Sequence, residues 1–182
     1  MDKYIVNKAD AVLLLIDLQE KLMQAVYSRD EVIKNVNIMI KAAQIMGIPI
    51  VLTEQYPKGL GATLPELKQN AGLFHYIEKV KFSAYVPEMQ DVLAKINRRT
   101  VIVTGVETHI CVYQTVRDLT ANGFGVHILK DAVGSRTEEN YKNGIQLMSE
   151  IGAVISNTET ILFDLLKTSS ALEFKQISAL VK

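Results

Sequence analysis

The sequence of 182 residues has one cysteine, no tryptophan and no excess of charge of either sign. A single cysteine excludes an internal disulfide and a cysteine-rich zinc site. The longest uninterrupted apolar run, residues 11–16, is far too short to cross a membrane as a helix. Lys and Arg together number 20, as do Asp and Glu, which argues against a protein that binds nucleic acid through net charge.

These absences favour a cytoplasmic globular protein. A lone thiol suits a reducing compartment, and the first residues do not resemble a secretory leader. A chain of this length is typical of one domain, so we expect residues 1–182 to form a single domain. We expect neither a membrane nor nucleic acid among its partners.

Short apolar segments alternate with helical patterns along the whole sequence. Strands are predicted at the short apolar runs 11–16, 49–53, 100–105, 125–129 and 153–156, and at 73–80, where apolar and polar residues alternate as in a strand nearer the edge of a sheet. Helices are predicted to end near residues 46, 122, 151, 167 and 181, and three of them to begin at capping boxes starting at Ser28, Ser135 and Ser156. This alternation predicts a three-layer α/β/α fold with a doubly wound, mostly parallel six-stranded sheet.

Three polar residues lie where predicted strands end. Asp17 directly follows the first strand, Lys79 lies at the end of the third, and Cys111 follows the fourth, at the start of a predicted helix. The carboxyl ends of parallel strands meet at one edge, where open α/β sheets bind ligands. There a carboxylate could take the thiol proton, an ammonium could stabilise the thiolate, and the sulfur could attack an electrophilic carbon.

Each of these residues also has a purely structural interpretation. Cys111 alone would fit a small buried hydrophobic residue, Asp17 a helix cap or turn, and Lys79 a solvent-exposed lysine. Their joint position at three strand ends favours catalysis. In that case the helix N-terminus and Lys79 would both favour thiolate, which predicts that Cys111 is partly ionised at neutral pH.

Three segments, 17–19, 79–85 and 105–112, resemble those of the isochorismatase-like cysteine hydrolases, which include nicotinamidases and N-carbamoylsarcosine amidase. Their order and spacing match over nearly the whole chain. A fourth segment, Thr53-Glu54-Gln55-Tyr56-Pro57-Lys58-Gly59-Leu60-Gly61, resembles the isochorismatase domain-containing proteins within that family. The resemblance implies the hydrolase fold of the family and a homo-oligomer, a dimer or larger.

The resemblance also implies a catalytic triad of Asp17 as base, Lys79 as electrostatic stabiliser and Cys111 as nucleophile. The family lysine lies three residues before the aromatic residue of an aromatic-Ser-Ala segment. Here that residue is Phe82, which selects Lys79 rather than Lys81. Alternation along a strand would put both lysines on one face and cannot separate them.

A non-proline cis peptide bond is a further property that the resemblance implies. In this sequence the corresponding cis bond would join Val106 to Glu107, just before Thr108. Its expected role is to direct backbone N–H groups near Thr108 to Cys111 toward a developing oxyanion.

Differences from other members narrow the substrate. Members that act on isochorismate do not use the cysteine, so its presence favours amide or related acyl chemistry. Nicotinamidases bind a metal through an Asp and two His, and residues 53–55 of this sequence do not contain that pattern. The three histidines, His75, His109 and His127, are not spaced as metal ligands. We therefore predict no metal and no other cofactor, and nicotinamide is disfavoured.

The predicted pocket walls lie near the three strand ends: Gln19, Gln55, Tyr56, Phe82, Tyr85 and His109. His109 could alternatively be the base of a Cys–His hydrolase. The leading hypothesis is a metal-independent cysteine hydrolase of a small amide or related compound. A non-catalytic binding or scaffold protein on the same fold and a nucleic-acid enzyme are the alternatives.

Overall fold

The computed structural model of the protein describes residues 2–182 and has a central sheet of six parallel strands. In chain order these are β1 (Ala11–Ile16), β2 (Ile50–Gln55), β3 (His75–Lys79), β4 (Thr100–Val106), β5 (Gly125–Gly134) and β6 (Val154–Ser156). Their spatial order is β3-β2-β1-β4-β5-β6. The chain thus winds outward from the centre in both directions, and the predicted doubly wound α/β fold is confirmed. The order reverses between β1 and β4, where such sheets open a crevice at their carboxyl edge.

Helices cover both faces of this sheet. In chain order they are α1 (Glu20–Ala25), α2 (Arg29–Met46), α3 (Pro57–Leu60), α4 (Pro65–Ala71), α5 (Pro87–Ile96), α6 (Tyr113–Ala121), α7 (Glu138–Glu150), α8 (Thr158–Leu166) and α9 (Phe174–Leu180). A 3-10 turn spans Asp2–Tyr4, and a π-helical turn spans Thr108–Val112.

Two hydrophobic cores explain why β1 is apolar throughout. Leu13 and Leu15 face a core shared with α1, α2, α4, α8 and α9. Val12 and Leu14 face a second core shared with α5, α6 and α7. A strand covered on both faces has no solvent-exposed position, so polar residues are found only beyond its end. Replacing one of these leucines with alanine would cost about 2–5 kcal/mol.

The predicted capping boxes are wrong in detail. The Ser28 side chain makes no cap hydrogen bond to α2. Thr137 rather than Ser135 caps α7, accepting from the N–H of Asn140 at 3.2 Å. Asn157 rather than Ser156 caps α8 in the same way. The reason is that β5 and β6 continue up to Gly134 and Ser156, so each helix begins later than its sequence pattern indicates.

The end of β5 lies five residues beyond its predicted end at Leu129. Lys130 and Asp131 resemble the start of a loop, but both remain in the strand. The Lys130 side chain is exposed, while the Asp131 carboxylate accepts from the N–H of Thr158 at 2.9 Å and so holds the start of α8. The extension carries β5, with a register shift against β4, to the crevice.

Candidate active site

A buried ion pair lies at the carboxyl edge of the sheet. The Nζ of Lys79 donates to Oδ2 of Asp17 at 2.6 Å, and neither side chain is exposed. Residues of the intervening strand β2 complete the network: Thr53 donates to Oδ1 of Asp17 at 2.7 Å, and Gln55 accepts from Nζ of Lys79 at 2.8 Å. The Phe82 carbonyl also accepts from Nζ at 3.0 Å. These partners compensate the burial of the two charges and fix their geometry.

Lys79 and Lys81 differ sharply in position. β3 ends at Lys79, so the expected alternation does not extend to Lys81. The Lys81 side chain is exposed, and only its backbone carbonyl approaches the ion pair, 3.3 Å from Nζ of Lys79. Lys79 is therefore the lysine that the structure places beside Asp17.

Cys111 lies in the π-helical turn before α6 and is 3% exposed. Its carbonyl accepts from the Thr115 hydroxyl at 2.6 Å, and that hydroxyl accepts from the N–H of Ala84 at 2.8 Å. Burial, followed by the negative charge of Asp17, raises the pKa of the Cys111 thiol to about 12, while the charge of Lys79 lowers it. The predicted partial ionisation of Cys111 is therefore wrong, because burial and the charge of Asp17 together favour the protonated thiol.

The turn before Cys111 differs from the expected one. All peptide bonds within residues 2–182 are trans, so the predicted cis bond between Val106 and Glu107 is wrong. Glu107 instead adopts a left-handed conformation, with φ of 59° and ψ of 58°. Its carbonyl accepts from the N–H groups of Ile110 and Val112, at 2.8 and 3.3 Å, and this starts the π-helical turn.

Left-handed residues occur at the ends of three neighbouring strands. Asp17 follows β1, Tyr56 follows β2 and Glu107 follows β4, with φ of 53°, 37° and 59°. This conformation costs an L-residue roughly 1–2 kcal/mol. Such strain is concentrated at functional sites, where the surrounding structure holds it in place.

A cavity of about 260 Å³ opens beside Cys111. Its walls are mainly apolar and come from α1, α3, the segment after β3 and the π-helical turn, namely Leu22, Ala25, Leu60, Phe82 and Ile110. Gln55 connects the cavity with the ion pair, since its side chain both lines the cavity and accepts from Lys79. Three charged side chains complete the lining: Lys21, Glu107 and Arg136. This volume lies just below the range of about 300–1,000 Å³ that is typical of ligand pockets, so it suits only a small molecule.

The isochorismatase domain profile matches residues 11–160 of this chain. The chain belongs to the isochorismatase family. It is 38% identical over 172 residues to isochorismatase domain-containing protein 2 of Bos taurus, covering 94% of this chain and 83% of that protein. It is 35% identical over 177 residues to isochorismatase domain-containing protein 1 of Danio rerio, covering 97% of this chain. The chain spans 62% of the length of that fish protein.

Solved structures share the isochorismatase fold. The MAR1 ribonuclease of Caenorhabditis elegans is 36% identical, with a TM-score of 0.93 over 97% of this chain and 92% of that chain. The YcaC protein of Escherichia coli, described as an octameric hydrolase of unknown specificity, is 25% identical, with a TM-score of 0.87 over 91% of this chain and 83% of that chain. The resemblance found in the sequence is therefore confirmed, and the family supports a hydrolase-type function.

Two of the six expected wall residues, Gln55 and Phe82, line the cavity of this isochorismatase-family chain. Gln19 instead holds backbone together, because its Nε2 donates to the carbonyls of Gln55 at 3.0 Å and Gly61 at 2.6 Å. Its Oε1 accepts from the N–H of Gln55 at 2.7 Å. Gln19 therefore positions Gln55 and the loop before α4 rather than forming a wall.

The other three expected wall residues lie outside the cavity lining. Tyr56 is 53% exposed, and Tyr85 packs edge-to-face against Phe124 with ring centroids 6.1 Å apart. Nδ1 of His109 lies 3.2 Å from the Ser135 hydroxyl. Burial lowers the pKa of His109, although the nearby Glu107 carboxylate raises it. These neighbours do not support His109 as the base for Cys111.

Arg136 and the side chain of Glu107 are cavity residues that the sequence did not indicate. Nε of Arg136 lies 3.2 Å from Oε1 of Glu107. Arg136 is the second residue after β5, and Asp17 is the first residue after β1, so both lie just beyond the carboxyl ends of their strands. With β5 predicted to end at Leu129, nothing in the sequence places Arg136 at this edge.

Residues 2–182 contain no group of three His, Cys, Asp or Glu side chains that could hold a metal ion. In the same range no helix is long and apolar enough to cross a membrane. A larger cavity of about 590 Å³ lies beside β6, and its lining includes His127. That lining contains neither the cysteine nor the ion pair, so chemistry rather than size assigns the candidate site to the smaller cavity.

Proposed function

We propose that this protein is a metal-independent cysteine hydrolase that cleaves the C–N bond of a small amide or a related compound. The observation that carries the proposal is the buried Lys79–Asp17 ion pair, whose charges act on the Cys111 thiol beside a small cavity. Membership of the isochorismatase family supports the hydrolase class. The proposals that a C–N bond is cleaved and that Asp17, Lys79 and Cys111 form the triad are argued from the chemistry of these three residues.

In the first step the proton of Cys111 moves to Asp17 as Sγ attacks the acyl carbon. A thiol with a pKa near 12 is almost wholly protonated at neutral pH, so a base must remove its proton during the attack. The electrons of the C=O double bond move to oxygen. Backbone N–H groups of the turn at 108–111 are the proposed donors to this oxyanion, and Lys79 stabilises the negative charge nearby.

The second half of the reaction restores the enzyme. The C–N bond breaks, the leaving nitrogen takes the proton from Asp17, and a thioester remains on Cys111. Water then attacks the thioester and gives a proton to Asp17, and the departing sulfur takes that proton back as the acid is released. The sum is one amide and one water converted to one acid and one amine.

Amine release from a panel of small amides tests this function. Cys111→Ala should lower the rate by more than about a thousandfold, while chelators should leave it unchanged. Val116→Ala, which removes apolar volume from the same core, is the control for packing. Mass spectrometry of the quenched reaction should detect an acyl group on Cys111. Hydrolysis that survives Cys111→Ala, or that is lost with a chelator, would contradict the proposal.

A ribonuclease is the second candidate, because a neighbour with a TM-score of 0.93 bears that name. A formal net charge of zero and a small, mainly apolar cavity argue against it. The ribonuclease would be favoured if the protein bound RNA with an affinity that falls steeply with salt and if it cleaved RNA at the same rate after Cys111→Ala. A native Cys111 site that binds small amides without turning them over would instead indicate the scaffold function.

We also propose a homo-oligomer of at least two chains. The octameric state given for the YcaC neighbour supports this, and sedimentation velocity would measure it. A cytoplasmic location remains a prediction from the sequence.

A further inference from the structure

A second small cavity lies where the start of α2 meets β5 and α7. Its volume is about 250 Å³, and among the described residues none lines both this cavity and the one beside Cys111. Tyr27 and Tyr141 supply aromatic walls, while Glu31 and Asp131 supply carboxylates. The reaction proposed above uses none of these four side chains, so their convergence calls for a separate explanation.

The two tyrosine rings form adjacent walls of this cavity. Their centroids lie 6.4 Å apart, and their planes are inclined by 67°. The hydroxyl of Tyr141 donates to the carbonyl of Lys130 at 2.7 Å, which holds that ring in place. The face of an aromatic ring attracts cations, and within residues 2–182 no lysine or arginine lies over either of these two rings.

The charges around the rings favour a cation. Glu31 and Asp131 contribute two negative charges and Lys130 one positive charge, so the lining carries one net negative charge. Burial raises the pKa of Tyr141 to about 12, and the neighbouring Tyr27, Asp131 and Glu31 add to this rise. The two carboxylates therefore act on the ring of Tyr141 as well as on the cavity.

Glu31 is the carboxylate that can pair with a ligand. Both oxygens of Asp131 accept from the N–H of Thr158, at 2.9 and 3.1 Å, so Asp131 contributes charge rather than a free acceptor. Glu31 lies in the first turn of α2 with its side chain exposed. No ion pair of the described residues includes Glu31.

An anion bound at the N-terminus of α2 is the opposite interpretation, and the charges disfavour it. The Ser28 side chain makes no cap hydrogen bond, and Lys130 lines the cavity, which are features that would suit an anion. However, Asp30 and Glu31 in the first turn of α2 already compensate the helix dipole. Glu31 and Asp131 would also repel a negative ligand.

We propose that this cavity is a binding site for a small organic cation that carries a methylated ammonium group. The methyl groups contact the faces of Tyr27 and Tyr141, and Glu31 balances the charge. A fully methylated ammonium group has no N–H donors to satisfy, which suits a lining with two ring faces and one uncommitted carboxylate. The inference is independent of the proposed hydrolase function.

Choline and its uncharged isostere 3,3-dimethylbutan-1-ol test the inference, because they differ in whether nitrogen or carbon carries the methyl groups. Each is titrated into protein with ¹³C-labelled tyrosine rings, and NMR follows the ring signals. Choline should shift the signals of Tyr27 and Tyr141 and bind about tenfold more tightly than the alcohol. Added salt should weaken the binding of choline and leave that of the alcohol unchanged.

Variants of exposed residues locate the binding. Tyr27→Leu and Glu31→Gln should each weaken choline binding by about threefold to tenfold, because one removes a ring face and the other a charge. Tyr4→Leu removes an exposed tyrosine outside the cavity, and Glu66→Gln removes an exposed first-turn glutamate of α4. Neither control should change the affinity for choline.

Three results would overturn the assignment. The first is that choline shifts neither tyrosine signal, and the second is that choline and the alcohol bind equally, a comparison that needs no variant. The third is that Tyr27→Leu and Glu31→Gln bind choline as the wild-type protein does, which would place the binding elsewhere. The hydrolase proposal is tested by amine release, which none of these titrations measures, so the two proposals fail separately.

Discussion

Lys79 influences Cys111 through its charge, and this gives a test of the lysine assignment. The charge of Lys79 lowers the pKa of the thiol, so Lys79→Met should raise that pKa and slow alkylation by iodoacetamide roughly tenfold for each unit of change. The variant leaves Asp17 buried without its ion-pair partner and should cost about 3–5 kcal/mol in unfolding free energy. Lys81→Met, at an exposed side chain, is the matched control. Equal slowing in the two variants would contradict the assignment of Lys79, and a larger effect of Lys81→Met would move the assignment to Lys81.

Asp17 should act in opposite directions on alkylation and on hydrolysis. Its negative charge raises the pKa of Cys111, so Asp17→Asn should increase the thiolate fraction and speed alkylation at a fixed pH. The same variant removes the proposed base, so hydrolysis should slow on the order of a hundredfold to ten-thousandfold. Asp30→Asn, whose carboxylate is 95% exposed, is the control. Hydrolysis that keeps its native rate in Asp17→Asn would show that Asp17 is not the base.

At the scale of elements, α7 packs directly on the turn that carries the nucleophile. A Cβ atom added to Gly144 of α7 would lie 2.7 Å from the carbonyl carbon and oxygen of Thr108 and 2.9 Å from the nitrogen of His109. Only glycine allows this approach, so the position of the helix and the position of the turn depend on each other.

Gly144→Ala is therefore expected to destabilise the protein, although alanine favours helix by about 1 kcal/mol. Overpacking costs typically 1–3 kcal/mol, and the atoms that the added methyl group would meet are backbone atoms, which cannot rotate away. Moving the 108–112 turn should also slow the alkylation of Cys111 by iodoacetamide. Asn143→Ala, exposed on the same helix, should be neutral or slightly stabilising. Chemical denaturation measures both variants, and an equally stable Gly144→Ala with native reactivity would contradict the argument.

The bounds of a strand that is buried on both faces could be predicted from the sequence. The bounds of an element that depend on contacts with residues distant in the sequence could not. β1 was predicted at its exact bounds because six consecutive apolar residues have no other soluble environment. The end of β5 was missed because Asp131 is stabilised by Thr158, a partner 27 residues away. Helices α3, α4 and α5 each begin at a proline, which is a helix start signal that can be read from the sequence.

The same division applies to the site. The strand ends alone indicated Asp17, Lys79 and Cys111, because parallel strands bring their carboxyl ends together. The cavity walls from α1 and α3 depend on the conformation of the loops after β1 and β2. Gln19 holds these loops in place, because its side chain binds the backbone of both β2 and the loop before α4. Such contacts leave no periodic signal in the sequence.

At the scale of the whole molecule, the pH dependence of stability should follow the buried His127 and the half-buried His109. Burial lowers the pKa of His127, the third residue of β5, below its ordinary value of 6.5, and it does the same to His109. As pH falls, the unfolded chain binds these protons before the folded protein does. The stabilisation is therefore complete above about pH 6.5 and is lost as pH falls from there toward the lowered folded-state pKa values.

We accordingly expect the free energy of unfolding to fall between about pH 7 and about pH 5. His127→Gln should flatten that slope, whatever its own cost in stability, because it removes a group that binds a proton only in the unfolded chain. His75→Gln, at an exposed position of β3, is the control and should keep the wild-type slope. Urea denaturation at several pH values gives the measurement. A slope unchanged by His127→Gln, or a wild-type stability that rises as pH falls through this window, would show that His127 is not the group responsible.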